Sequence, residues 1–329
     1  AADRLSSTLL GPTMRKAQLA ARSVGTANAA RSPSTRKKIK TKGMTMRNAA
    51  GWSTESRPRT PCDSTRTPPS ATPSASAPPV TNSTPFSEDA VRGHVNPKNE
   101  QPYRGPTGTV RGVVTIKGDQ PPALAEVTEK IPDKCKGARN VYGRLFREGM
   151  VRSLADVLVT VTEYQGFVPA KGEAVTLDTE GCAFPSRTIA VTYGQRIDVR
   201  SKDGEAYVPK LMGGRADMIA VPGGSAVKLY PHIPGRYTLI DQMHLFMTAD
   251  VFVLKYSTFD ITGLDGKFEI TGVPVGEVAV NALLPITVAT TQKKVKVEAD
   301  KVTEVNLELT FDKKKDLPEP PKKPKIVIH

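Results

Sequence analysis

The chain has 329 residues, 47 Lys and Arg against 33 Asp and Glu, and three cysteines. That length suits about two domains, and three cysteines are too few to hold a small disulfide-built scaffold together. No run of 18 apolar residues is present, so a membrane-spanning helix is not expected.

The charge is uneven. Residues 1–105 carry 17 basic against 6 acidic side chains, residues 106–312 carry 24 against 25, and residues 313–329 carry 6 against 2. The part expected to fold is therefore near neutral, which argues against a folded nucleic-acid-binding domain with its own basic face. The basic ends can hold polyanions weakly by counterion release.

Residues 1–105 read as a disordered extension, with few aromatics, high charge and Pro, Ser and Thr crowded between Ser53 and Pro85. Residues 14–50 have no acid, a composition similar to that of a transit peptide, and Arg22 breaks the one short apolar run that a secretory signal would need. Order is expected to begin near Thr107. Thr109–Lys117 reads as a strand, Tyr142–Val151 as a short helical or irregular insert, and Leu154–Tyr164 as a second strand rich in β-branched residues. Arg187–Tyr193 and Arg196–Arg200 read as two strands about a tight Gly194-Gln195 turn. Strands follow at Ser225–Tyr230, Arg236–Asp241 and Ala249–Tyr256.

Residues 258–276, TFDITGLDGKFEITGVPVG, carry the strongest local signal. Asp265-Gly266 is a hairpin-turn dipeptide between two β-compatible runs. Phe268 and Ile270 alternate with Lys267 and Glu269, the period of a half-buried strand. Val278–Leu284, Lys293–Glu298 and Glu304–Phe311 complete the series, and the Lys/Pro-rich tail from 313 is expected to be disordered. Strands every 8–14 residues with Gly/Pro punctuation predict an all-β fold of sandwich type.

Two family resemblances are nested in this pattern. Gly108–Ile116 and Ala155–Val161, with the later Thr262-x-x-Asp265-Gly266-x-Phe268-x-Ile270-x-Gly272-x-Pro274-x-Gly276, resemble a carboxypeptidase regulatory-like domain, a transthyretin-type sandwich. Between them, Leu177–Phe184 and Ile189–Arg200 resemble a plastocyanin-like (cupredoxin) domain. The resemblances imply a cupredoxin-like Greek-key segment at 171–256, nested in or packed with a transthyretin-like sandwich made of 106–170 and 257–312.

Cupredoxins hold copper with two imidazoles, a thiolate and a weak axial Met, because the soft thiolate supplies the strong equatorial bond. Here the late loop reads Asp241-Gln-Met243-His244-Leu-Phe-Met247. His244 and Met247 match the His-x-x-Met part, and Asp241 or Ile240 stands where the thiolate would. Tyr207 lies near the expected upstream His. The resemblance thus implies a degenerate site, with His244, Met247 and Met243 as its remaining metal-ligand candidates. Thioethers of Met212 and Met218 join these as soft donors for Cu(I); the competing expectation is that the methionines fill the sandwich interior.

Cys135 and Cys182 are candidates for a disulfide, which would suit an oxidising compartment, or are two unrelated buried thiols. His232 reads as a loop residue, and Asp203, Glu205 and Asp217 as solvated loop acids. Gly213-Gly214 and Gly223-Gly224 lack the residues of a phosphate loop. No nucleophile turn is present, so no enzymatic activity is expected. The expected function is binding or structural, without a cofactor, in the periplasm or outside the cell. The partner would be a protein or a polysaccharide of the cell envelope, met by Tyr164, Phe167, Tyr207 and Tyr230. The alternative is a copper protein that uses His244.

Overall fold

The computed structural model describes residues 87–212 and 218–317. The expectations for residues 1–86, 213–217 and 318–329 lie outside the described residues. No helix among the described residues is long and apolar enough to cross a membrane.

The fold is mainly β, as the strand pattern predicts, and its strands form two sandwiches. In the first, β1 (Thr107–Gly118) pairs antiparallel with β11 (Lys267–Pro274) and parallel with β14 (Val302–Glu304) and β15 (Leu307–Phe311). Its other sheet has the order β10 (Phe259–Ile261), β2 (Leu158–Thr162), β12 (Gly276–Leu284), β13 (Ala289–Val297). Alternate residues of β15 show why these strands lie where they do. Leu307, Leu309 and Phe311 are buried, while Glu308 and Thr310 face water. Phe268 and Ile270 of β11 behave in the same way. The Asp265-Gly266 turn is present but makes no hairpin, because β10 and β11 belong to different sheets; Gly266 has φ +70°, and a Cβ there would stand 2.5 Å from the Val114 carbonyl oxygen. Glycine is the residue that adopts this left-handed conformation without strain.

The second sandwich is built from the chain between β2 and β10. One sheet has the order β3 (Ala174–Thr179), β5 (Arg196–Ser201), β7 (Val227–Leu229). The other runs β4 (Thr188–Thr192), β9 (Thr248–Leu254), β8 (Gly235–Asp241), β6 (Pro209–Leu211). The Gly194-Gln195 turn does not make a hairpin, because β4 and β5 belong to different sheets. Gln195 holds the crossover: its side-chain oxygen accepts from Thr192 N–H at 2.8 Å, and its amide donates to the carbonyls of Lys171 and Gly172.

Leu158, Ala190, Phe252, Leu254 and Leu283 form a shared apolar layer between the two sandwiches. Burying each such side chain is worth about 1–3 kcal/mol. This layer explains the near-continuous burial along β2 and β4, since strands covered on both faces have no water-facing side to alternate. Asp156 pins the same junction. Its carboxylate accepts from Ser186 Oγ at 2.7 Å, Arg187 N–H at 2.9 Å and the Arg147 guanidinium.

The expected start of order near Thr107 falls too late. Helix α1 (Glu88–Val95) precedes it, with Ser87 as N-cap accepting from Ala90 N–H at 3.2 Å. Val91 and Val95 pack on the core of the second sandwich, and His94 meets the Tyr193 ring edge-on at 5.1 Å. The short helices α2 (Ala125–Thr128) and α3 (Lys136–Tyr142) lie before β2. The irregular insert thus begins earlier than Tyr142. The expected tail also starts with a turn of helix, α4 (Lys313–Asp316), capped by Asp312.

A sealed histidine beside a disulfide

The loop between β8 and β9 carries Asp241, Met243, His244 and Met247. Asp241 is the last residue of β8 and has no exposed surface. Its carboxylate accepts four hydrogen bonds: from Val208 N–H at 2.6 Å, Met243 N–H at 3.0 Å, His244 N–H at 2.8 Å and His244 Nδ1 at 2.9 Å. A buried carboxylate needs such donors to offset its lost hydration. The Asp-x-x-His spacing lets one side chain both cap the loop and orient the imidazole. A further bond from Met247 N–H to the His244 carbonyl at 2.7 Å closes the turn.

His244 is 6 % exposed and lies between aromatic rings, with Tyr207 at 5.5 Å and Phe246 at 5.9 Å between centroids. Tyr207 is fully buried. Its hydroxyl donates to Asp203 Oδ2 at 2.8 Å and accepts from Cys182 N–H at 3.2 Å. Burial pushes the Tyr207 phenol up, and the bond to Asp203 reinforces the shift. Asp203 is not a solvated loop acid. Partial burial acts to raise its pKa, but bonds from Glu205 N–H, Tyr207 O–H and Gly181 N–H hold it below the usual carboxylate range.

Cys135 and Cys182 are joined in a disulfide with their Cα atoms 5.3 Å apart. Cys135 ends a short 3-10 turn before α3, and Cys182 sits in the turn after β3 with φ +57°. Their sulfur atoms and a ring nitrogen of His244 all lie within 4.8 Å of one another. Nothing in the spacing of residues 135, 182 and 244 along the chain announces this meeting. The readable signal is Asp241-x-x-His244, whose meaning as a carboxylate–imidazole pair appears only once both are buried.

The methionines do not act together. Met247 is fully buried in the core, but Met212, Met218 and Met243 are 56, 50 and 58 % exposed. The expectation that they fill the interior therefore holds for Met247 and fails for the other three. His232 lies in the loop before β8, where its carbonyl accepts from Tyr193 O–H at 3.0 Å.

The Asp241 carboxylate is thus filled by three backbone N–H groups and the His244 ring, and the Tyr207 phenol is tied to Asp203.

The four aromatic candidates separate. Tyr207 is sealed in the core and cannot meet a ligand at the surface. Tyr230 is half-buried at the end of β7. Tyr164 and Phe167, by contrast, line one cleft of about 290 Å³ with Tyr256, Gln165 and Lys255. The Tyr164 hydroxyl accepts from Thr258 Oγ1 at 3.1 Å, which fixes its ring. Burial raises the Tyr164 phenol and pushes that of Tyr256 up to about 12. The N-terminal segment forms the opposite wall, where Asn96 closes a turn with both backbone groups of Glu100.

No family model matches the chain, and no curated protein matches it. Among solved structures, amicyanin from Paracoccus versutus (Thiobacillus versutus) is similar at 17 % identity, with 29 % of this chain and 97 % of that chain covered and a TM-score of 0.23. An amicyanin point mutant in its reduced state is similar at 17 % identity over 25 % of this chain and 82 % of that chain, also with a TM-score of 0.23.

Proposed function

We propose that this protein is a non-enzymatic binding protein of the cell envelope, with a cupredoxin-like sandwich that lacks a complete type 1 copper site and a polysaccharide as its ligand. The observation that carries this reading is the Asp241–His244 bond at 2.9 Å inside the core. In this reading, a carboxylate already filled by hydrogen bonds takes the place of the soft thiolate that a type 1 centre needs. The disulfide supports an oxidising compartment. The cleft formed by Tyr164, Phe167 and Tyr256 supports a sugar ligand, because aromatic faces beside amide and ammonium groups suit pyranose rings.

Two titrations of the full oxidised chain test the proposal. With Cu(I) and Cu(II), no stoichiometric binding is expected; one ion per chain, lost in His244→Ala, overturns the reading in favour of a copper protein. With soluble peptidoglycan oligosaccharides, binding is expected that Tyr164→Ala and Phe167→Ala each weaken about tenfold, the loss of one aromatic contact of ~1.4 kcal/mol. Absence of binding, or indifference to both substitutions, removes the polysaccharide.

A further inference from the structure

We propose that reduction of the Cys135–Cys182 disulfide creates a site for one soft d10 ion, Zn(II) or Cu(I), held by the two thiolates and His244. The three donor groups are already assembled, since both sulfurs and a ring nitrogen of His244 lie within 4.8 Å of one another. All three residues are buried, so ligands gathered here are shielded from competing water. While the disulfide is intact, neither sulfur is a thiolate and the site is closed.

The second observation is the direction of the imidazole. Nδ1 faces Asp241 Oδ1 at 2.9 Å, and a carboxylate acceptor there fixes the proton on Nδ1. The Nε2 lone pair is thereby left as the donor. A carboxylate–imidazole–metal arrangement of this kind orients the ring and raises its basicity. The bond that spoils a blue-copper centre is thus the one that suits a thiolate–imidazole site.

The chemistry balances with a dithiol as reductant. Its two S–H groups become one S–S bond, the Cys135–Cys182 bond breaks, and each cysteine sulfur takes one proton. Ion binding then releases both thiol protons to solvent. The sulfurs must separate to about 3.8 Å, the spacing of two thiolates each ~2.3 Å from one tetrahedral ion. Side-chain rotation at a Cα separation of 5.3 Å achieves this without moving the backbone far. Thiolate and imidazole together favour Zn(II) and Cu(I) over hard cations.

The test uses the full chain with Cys62→Ser, so that only the paired cysteines report. The protein is reduced with dithiothreitol, freed of reductant under nitrogen, and titrated with Zn(II) or Cu(I) against a chromophoric chelator. One ion per reduced chain is expected, with affinity at least about 100-fold above that of the oxidised chain and with both thiols protected from a disulfide reagent. Asp241→Asn is expected to weaken binding ~10–100-fold, as loss of a partner behind a ligand does, and His244→Gln at least as much. Equal affinity in the two redox states overturns the proposal. So does indifference to His244→Gln, or loss of the folded circular-dichroism spectrum on reduction that the ion does not restore. The two arms separate the ions, and binding by the oxidised chain that is weaker than binding by the reduced chain counts against the proposed function and leaves this site standing.

Discussion

The two sandwiches are held together in different ways. The first, made of β1, β2 and β10–β15, has a core of aliphatic and aromatic side chains such as Val114, Phe146, Leu309 and Phe311. Both bury hydrogen-bonded polar side chains, such as Asn281 and Thr262 in the first, but the second, made of β3–β9, adds an acid–imidazole pair, a phenol–carboxylate bond and a covalent link: Asp241–His244, Tyr207–Asp203 and the disulfide. Apolar packing tolerates exchange of one hydrophobe for another of similar volume. A buried polar network does not, since removing one member strands the others. The disulfide and the buried Asp241–His244 pair are both on the second core, and the two sandwiches meet through the shared apolar layer.

The sharpest way to break this comparison is Asp241→Ala. Three backbone N–H groups and the His244 ring lose their acceptor inside the core. The expected loss is about 4 kcal/mol, from unsatisfied donors at ~1–3 kcal/mol each with partial rescue by water. Urea unfolding measures it. A loss below ~1 kcal/mol would mean that the second sandwich does not depend on its polar network.

Gly266→Ala probes the frame. The new Cβ meets the Val114 carbonyl oxygen at 2.5 Å and the residue must keep φ +70°. A loss of about 2 kcal/mol is expected from strain and displacement. An unchanged midpoint would show that the Asp265-Gly266 turn is not needed to set the β11 register.

Alkaline pH probes the second sandwich by titration. Burial raises the phenols of Tyr142 and Tyr207, both in the core of the second sandwich. Free tyrosine titrates near pH ~10. Below that pH both states are neutral and stability is intact. Above it the unfolded chain ionises first, so stability falls until the folded phenols titrate as well. Each such tyrosine contributes a slope of ~1.4 kcal/mol per pH unit. Tyr142→Phe is expected to flatten the fall above pH ~10 by that amount; an unchanged slope in pH-dependent urea titrations would refute the assignment.

The smallest effect is expected at the surface of the same loop. Met243→Ala removes a side chain that is 58 % exposed, and a change within ~0.5 kcal/mol is expected in the same urea titrations. A larger loss would reveal a contact that its exposure does not suggest.

Much of the frame is legible in the sequence because its signals are local. The Asp265-Gly266 turn and the alternation of Lys267, Phe268, Glu269 and Ile270 need only neighbouring residues to be read. Helix α1 has local signals, with Ser87 as N-cap, Glu88 and Asp89 in its first turn and Val91 and Val95 at an i, i+4 spacing, but eight residues with two side chains on the core are outweighed by the polar, proline-flanked stretch around them. The crossover at Gly194-Gln195 was hidden because a tight turn between two β-branched runs reads alike whether the strands pair or part.

The sequence alone determined the strand periodicity, the turns and the Asp241-x-x-His244 spacing, because each is a matter of residue type at short spacing. Tertiary structure decided which of the remaining polar groups meet. It buried Tyr207, exposed three methionines, turned His244 toward Asp241, and brought Cys135 across 47 positions of the chain to Cys182 beside that histidine. Contacts between residues so far apart depend on how two sheets stack, and sheet stacking is set by the summed burial of many side chains rather than by any motif that a reader can point to.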